Sequence, residues 1–223
     1  MVANRKKTIP PLENGDRLSR HEFERRYATM PNLKNAELIE GIVYMPAALR
    51  FQSHGQPHAN IIGWLWFYKI ATPRVELGDN VTVRLDLDNA PQPDAVLMID
   101  GGQAGISSDD YVEGAPELVV EIAASSAAYD LYDKKRAYRR NGVQEYLVWR
   151  VYDREFDWFV LESGEYIKQA ADNGIIRSRV FPGLWLAVDS LLAGEMQQVL
   201  AVLQQGLDSA KHQEFVKREF DNH

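Results

Sequence analysis

The sequence predicts an α/β (α+β) domain, because strand patterns and helical stripes alternate along it and it is long enough for one core. Residues 95–99 (AVLMI) and 118–122 (LVVEI) are short apolar runs of strand length, and residues 81–87 (VTVRLDL) alternate strictly. Ala127, Leu131, Lys134 and Tyr138 follow one another at helical spacing. A chain of 223 residues holds one domain with a single hydrophobic core, with or without an appendage.

Taken in order, residues 1–17 read as a flexible lead containing Pro10-Pro11. Ser19 with Glu22 has the spacing of a capping box and opens a helix that runs to about Met30, where Pro31-Asn32 ends it. Residues 36–45 (AELIEGIVYM) read as a hairpin turning at Glu40-Gly41. Pro57 suits the first turn of a helix over residues 58–70, apolar nearly all round and therefore buried. The glycine-rich stretch 101–116 lacks the spacing and the lysine of a phosphate cradle and reads as a connection or lid. After the central strand and helix come a strand over residues 144–151 and a hairpin about Ser163-Gly164. Residues 175–179 suit an edge strand, and residues 184–188 are apolar but ambiguous. The last segment is a helix with Met196, Val199, Leu200, Leu203 and Leu207 on one stripe; its charged end is either a frayed terminus or a dimerisation arm. The expected division is therefore a lead (1–17), a main domain (18–190) and a C-terminal helical appendage (191–223).

Composition excludes several classes. No apolar run is long enough to span a bilayer, the basic start lacks the apolar segment of a signal peptide, and cytoplasmic residence is expected. With no cysteine there is no disulfide framework, thiolate metal site or cysteine nucleophile. His21, His54 and His58 are not at zinc-cluster spacing, and Ser125-Ser126 lacks the glycines of a nucleophile elbow. A net charge of −7 argues against a broadly basic nucleic-acid-binding surface, although charge can be local. Between residues 128 and 141, Lys134, Lys135, Arg136, Arg139 and Arg140 outnumber Asp130 and Asp133. The plain reading of that surplus is a solvated helix face.

Two residues break their own patterns. Glu121 sits inside an apolar strand, where a carboxylate is costly unless it is paired or holds a metal. Lys134 interrupts the buried stripe of the following helix. Asp94, after Pro93, opens the apolar run 95–99. Two acids and a lysine at strand ends point to a metal-dependent phosphodiesterase site. The alternatives are a turn cap for Asp94, a buried ion pair with Arg150 or Lys134 for Glu121, and a snorkelling lysine for Lys134.

Pro93-Asp94, the strand ending ELVVEI, Ser125-Ser126 and YDLYDKKRAYRRNGVQEYLVW together resemble the Uma-type restriction-endonuclease-like family of the PD-(D/E)xK nuclease superfamily. ELIEGIVYMP and PHANII also resemble its first third, so that the likeness spans residues 18–190. The resemblance implies a restriction-endonuclease-like mixed central β-sheet flanked by helices, with an extra β-hairpin and a C-terminal helix. It implies a bacterial Mg²⁺- or Mn²⁺-dependent endonuclease acting on DNA, and a homodimer is expected. The superfamily places a lysine two residues after the strand carboxylate, where this chain has Ala123. The family's helix-borne lysine makes Lys134 the substitute. Asp94, Glu121 and Lys134 are thus the expected catalytic residues, with Asp94, Glu121 and the main-chain carbonyl of Ile122 on the metal. Glu40, in the first hairpin, is a further candidate for the metal site, and His58 for catalysis. Asp130, one turn before Lys134, is placed to orient it or merely to pair with it. Arg136, Arg139 and Arg140 are expected to meet phosphates. Two competing readings remain: a catalytically silent module that keeps the fold, and a hydrolase of other substrates using the same carboxylates.

Overall fold

In the computed structural model, which describes residues 9–45, 49–124 and 130–221, the apolar strands assemble into a central mixed sheet. In chain order the strands are β1 (Glu37–Ile39), β2 (Ile42–Tyr44), β3 (Val75–Asp79), β4 (Val83–Arg84), β5 (Ala95–Ile99), β6 (Gly105–Ile106), β7 (Val112–Glu113), β8 (Leu118–Ala123), β9 (Glu145–Arg150), β10 (Glu155–Glu162), β11 (Glu165–Lys168), β12 (Ile175–Arg177) and β13 (Trp185–Ala187). The helices are α1 (Arg20–Tyr27), α2 (Gln56–Ala71), α3 (Lys135–Asn141), α4 (Val188–Ala193), α5 (Met196–Leu207) and α6 (Ala210–Asp221). Wide π-type turns at Phe51–Gly55 and Asp130–Lys134 lead into α2 and α3. Among the described residues no helix is long and apolar enough to cross a membrane.

The six strands of the sheet lie in the order β11-β10-β9-β8-β5-β3. β8 and β9 are parallel and the other neighbours antiparallel. A parallel pair needs a crossover, and here the crossover carries Lys134 and α3. Alternate side chains of each strand face opposite layers. Leu118, Val120 and Ile122 point to the larger core with Trp64, Leu65 and Tyr68 of α2 and Val199 and Leu203 of α5. Val119 and Ala123 point to a smaller core with Tyr138 of α3 and Val83 and Val112 of a three-stranded side sheet, β4-β7-β6. Glu121 faces this second layer.

Both expected hairpin turns form. Glu40-Gly41 and Ser163-Gly164 all have positive φ (52°, 73°, 48° and 83°), the twist that a two-residue turn needs to match its strands. β12 pairs with β13, so the ambiguous run at 184–188 contributes a strand.

Other expectations change. Ser19 precedes α1 but makes no side-chain cap bond, and the Glu22 carboxylate that would complete a capping box is taken by Arg25 and Arg26. Those two guanidiniums hold its carboxyl down at about 2. The alternating run 81–87 yields only the short β4. Asp86 ends it early by accepting from the Asp88 main chain and the Asn89 amide in a side-chain turn. β3 was not legible in VELGD, of which only Val75 is buried. From residue 9 the N-terminal segment is packed rather than loose: Leu12 is buried, and Gly15 N–H donates to the Val43 carbonyl. The C-terminal stretch is three helices, and Val199, Leu203 and Phe215 lie in the main core. Gly206 of α5 meets the loop at Gly183 so closely that a Cβ would lie 2.2 Å from its carbonyl oxygen.

One buried acid outside the site gives the fold a pH dependence. Glu145 at the start of β9 is fully buried and accepts from Ser178 Oγ and Arg179 N–H. Burial raises its carboxyl from the ordinary 4.5 to about 7, although these donors favour the ionised form. A raised acid binds its proton in the folded state while the unfolded state has lost it, so stability falls as pH rises from about 4.5 to about 7. The loss is of the order of 3 kcal/mol at most. Glu145→Gln is expected to flatten this stretch of the denaturant-midpoint-versus-pH curve; an unchanged slope would exclude Glu145 as its cause.

Candidate active site

The antiparallel register of β5 and β8 pairs Ala95 with Val120, so Asp94 and Glu121 stand opposite each other on one face of the sheet. Both are buried. Asp94 Oδ2 accepts from Ile122 N–H at 2.6 Å, which locks the carboxylate against the main chain of β8. Its Oδ1 lies 2.9 Å from His54 Nε2, in the turn that opens α2. His58 Nε2 lies 3.1 Å from the Asp94 carbonyl oxygen and 3.0 Å from Asp79 Oδ1. The turn that opens α2 and the first turn of α2 therefore carry two imidazoles to the start of β5, and their ring centroids are 5.7 Å apart.

Lys134 closes the other side. It is buried, with Nζ 3.0 Å from Glu121 Oε1 and 2.8 Å from Glu37 Oε1. Tyr138, one turn later, donates its hydroxyl to the same Glu121 oxygen at 2.8 Å. Burial, reinforced by the nearby Glu121 charge, raises the Tyr138 phenol well above its usual range, so it stays a neutral donor. The helical stripe that Lys134 interrupts is thus the stripe that reaches Glu121. The departure at Ala123, which faces the smaller core, is met by an ammonium arriving from the crossover. Glu121 pairs with Lys134 and not with Arg150, which is held by Asp153, Glu155 and Asp157.

Glu37 was not foreseen. The expected acid of the first hairpin was Glu40, but Glu40 sits in the turn and binds Arg136 and Arg140 on the surface. Glu37 heads β1, is buried, and accepts from Gln92 N–H at 2.7 Å as well as from Lys134. The sequence offers only an acid joined to an apolar strand, ELI, with a second acid at the strand's other end, so it does not choose between Glu37 and Glu40. His54 and Tyr138 were also missed as partners of the two acids. Asp130's side chain and Ser125-Ser126 lie outside the described residues.

The three arginines are already engaged. Arg136 pairs with Glu40 and Asp133, Arg139 with Glu165, and Arg140 with Glu40 and Asp86. They bridge α3 to the first hairpin and to β11, and the local basic surplus is largely neutralised by acids distant in the chain. Glu117 is a useful contrast to Glu121. It too is a buried acid in the β8 region, but its oxygens are satisfied by Ile99 and Gln103 N–H groups, a structural role.

A hard divalent cation fits the donor set at Asp94 and Glu121. All candidate donors are oxygens: the two carboxylates facing each other across β5 and β8, and the main-chain carbonyl of Ile122, the residue after Glu121. Among the described residues no three His, Asp or Glu side chains gather closely enough to cage an ion. Mg²⁺ does not need such a cage, since it binds through one or two carboxylates and keeps several waters. Each Asp94 oxygen, though engaged once, retains a second lone pair for a ligand.

Comparisons with known proteins place the chain in a family and match its fold. Residues 20–189 match the family model Uma2, described as "Putative restriction endonuclease". Among solved structures the chain is similar to a protein from Anabaena variabilis ATCC 29413, described as a "putative nuclease belonging to DUF820". The TM-score is 0.60 at 12% identity, covering 76% of this chain and 96% of that one, a likeness of fold. A comparison with curated proteins finds no match.

Proposed function

The chain belongs to the Uma2 restriction-endonuclease family, and on that premise we propose that it is a Mg²⁺- or Mn²⁺-dependent endonuclease that hydrolyses DNA phosphodiester bonds. The observation that carries this reading is the ammonium of Lys134 held between Glu37 and Glu121, with Asp94 facing Glu121 across the sheet. Asp94, Glu121 and the Ile122 carbonyl would hold the metal. A divalent ion held there would supply a water of lowered pKa and offset charge on the phosphate.

The protein's own groups do the rest. Lys134 donates to Glu37 and Glu121, and its ammonium serves as a positive charge that positions the attacking water and stabilises charge on the phosphorane oxygens. In the hydrolysis one water oxygen bonds to phosphorus, one bridging P–O bond breaks, and the leaving oxygen takes up a proton. Tyr138 and Gln92 N–H hold the two acids in place, as buried donors do where geometry must not drift. His54 steadies Asp94 through Oδ1, the oxygen not taken by Ile122 N–H.

Calorimetric titration with Mg²⁺ or Mn²⁺ separates this reading from a silent module without relying on turnover. Binding at or below millimolar metal is expected for the wild type and is expected to be lost in Asp94→Asn. No heat of binding with either metal would favour the silent module.

A further inference from the structure

The cleft between α1 and the β4–β7 side sheet has a volume of about 540 Å³, within the range of small-ligand sites. We propose that it receives one unpaired nucleobase of the DNA strand being cut. This rests on the nuclease reading and adds a substrate class to it: DNA with an unpaired or extruded base beside the scissile phosphate.

Position is the first argument. Gln92 lines the cleft, and its N–H donates to Glu37 Oε1, the same oxygen that contacts Lys134. One residue therefore separates the cleft from the proposed catalytic groups. The lining also suits a base. Tyr27 and Tyr111 line it, and the Arg84 guanidinium lies 4.1 Å from the Tyr111 ring centroid, a fixed stacking platform. Bidentate pairing with Asp109 and a further bond to Glu24 hold Arg84 in that place. Those two carboxylates also offset its charge, so the deep part of the cleft suits a flat neutral ring rather than a phosphate. Lys34 at the rim makes no ion pair among the described residues, which leaves its ammonium for the backbone of the same nucleotide. Thr82 and the Gln92 amide supply polar groups for a base edge, the amide being held by its bond to the Asn80 carbonyl.

The test is fluorescence anisotropy in Ca²⁺ with a labelled duplex containing one unpaired adenine, against the same duplex with an abasic residue there. Wild type is expected to bind the adenine duplex about tenfold more tightly, the effect of one base stack. Tyr111→Ala is expected to lose this preference and Tyr111→Phe to keep it. Equal binding of both duplexes by wild type, or an undiminished preference in Tyr111→Ala, overturns the proposal. As a reading that needs no variant, 2-aminopurine at the unpaired position is expected to be quenched on binding wild type; unchanged emission also overturns it. Plasmid nicking in Mg²⁺ separates the two claims. Nicking without a base preference removes the base pocket alone, whereas a base preference without nicking removes the nuclease activity and leaves the pocket.

Discussion

Lys134→Met is expected to abolish nicking and to destabilise the protein by about 3–5 kcal/mol, the usual cost of removing one partner from a buried ionic cluster. Glu37 and Glu121 are both buried beside the ammonium, and without it two carboxylates would share a space that excludes water. Met roughly matches the volume of the lysine stem, so the loss reports charge rather than a cavity. Lys134→Met combined with Glu121→Gln is expected to regain part of the stability and none of the activity. Chemical denaturation with a plasmid assay on both proteins measures the two outcomes. A single variant as stable as wild type would mean that the lysine is not the counter-charge of these acids.

Asp94→Asn is expected to reduce nicking by at least about a hundredfold while changing stability by only about 1 kcal/mol. Asparagine keeps an oxygen to accept from Ile122 N–H, so the sheet edge stays closed. It loses the negative charge that His54 faces and that the proposed divalent ion would need. The separation of activity from stability is the informative part, because a purely structural Asp94 would lose both together or neither.

The sequence revealed this site unevenly, for reasons that lie in the residues. Glu121 and Lys134 each violate the pattern of the element that carries them, and such violations are legible without any partner in view. Asp94 was legible from its place at the mouth of an apolar strand. Glu37 was not, because in ELIEG two acids flank one short strand and only the tertiary register decides which is turned inward. The inward one meets Lys134, and the outward one, Glu40, meets arginines a hundred residues later. Partners on other elements likewise hide the pairing of Arg136 and Arg140 with Glu40 and of Arg139 with Glu165, so that by sequence alone the three form a basic helix face. Pattern identified both hairpins, α2 and the central strands, since period and turn chemistry are local. It overextended residues 81–87, where the Asp86–Asn89 side-chain turn ends the strand. It also read the C-terminal helices as an appendage, although Val199 and Leu203 are part of the main core.

Nicking of supercoiled plasmid by purified wild type and Glu121→Gln, in Mg²⁺ or Mn²⁺ and again with excess EDTA, tests the central claim most directly. Conversion to open circles by wild type, abolished by EDTA and by the substitution, is the predicted result. Cutting that survives either, or a wild type that leaves the plasmid intact in both metals, would contradict it.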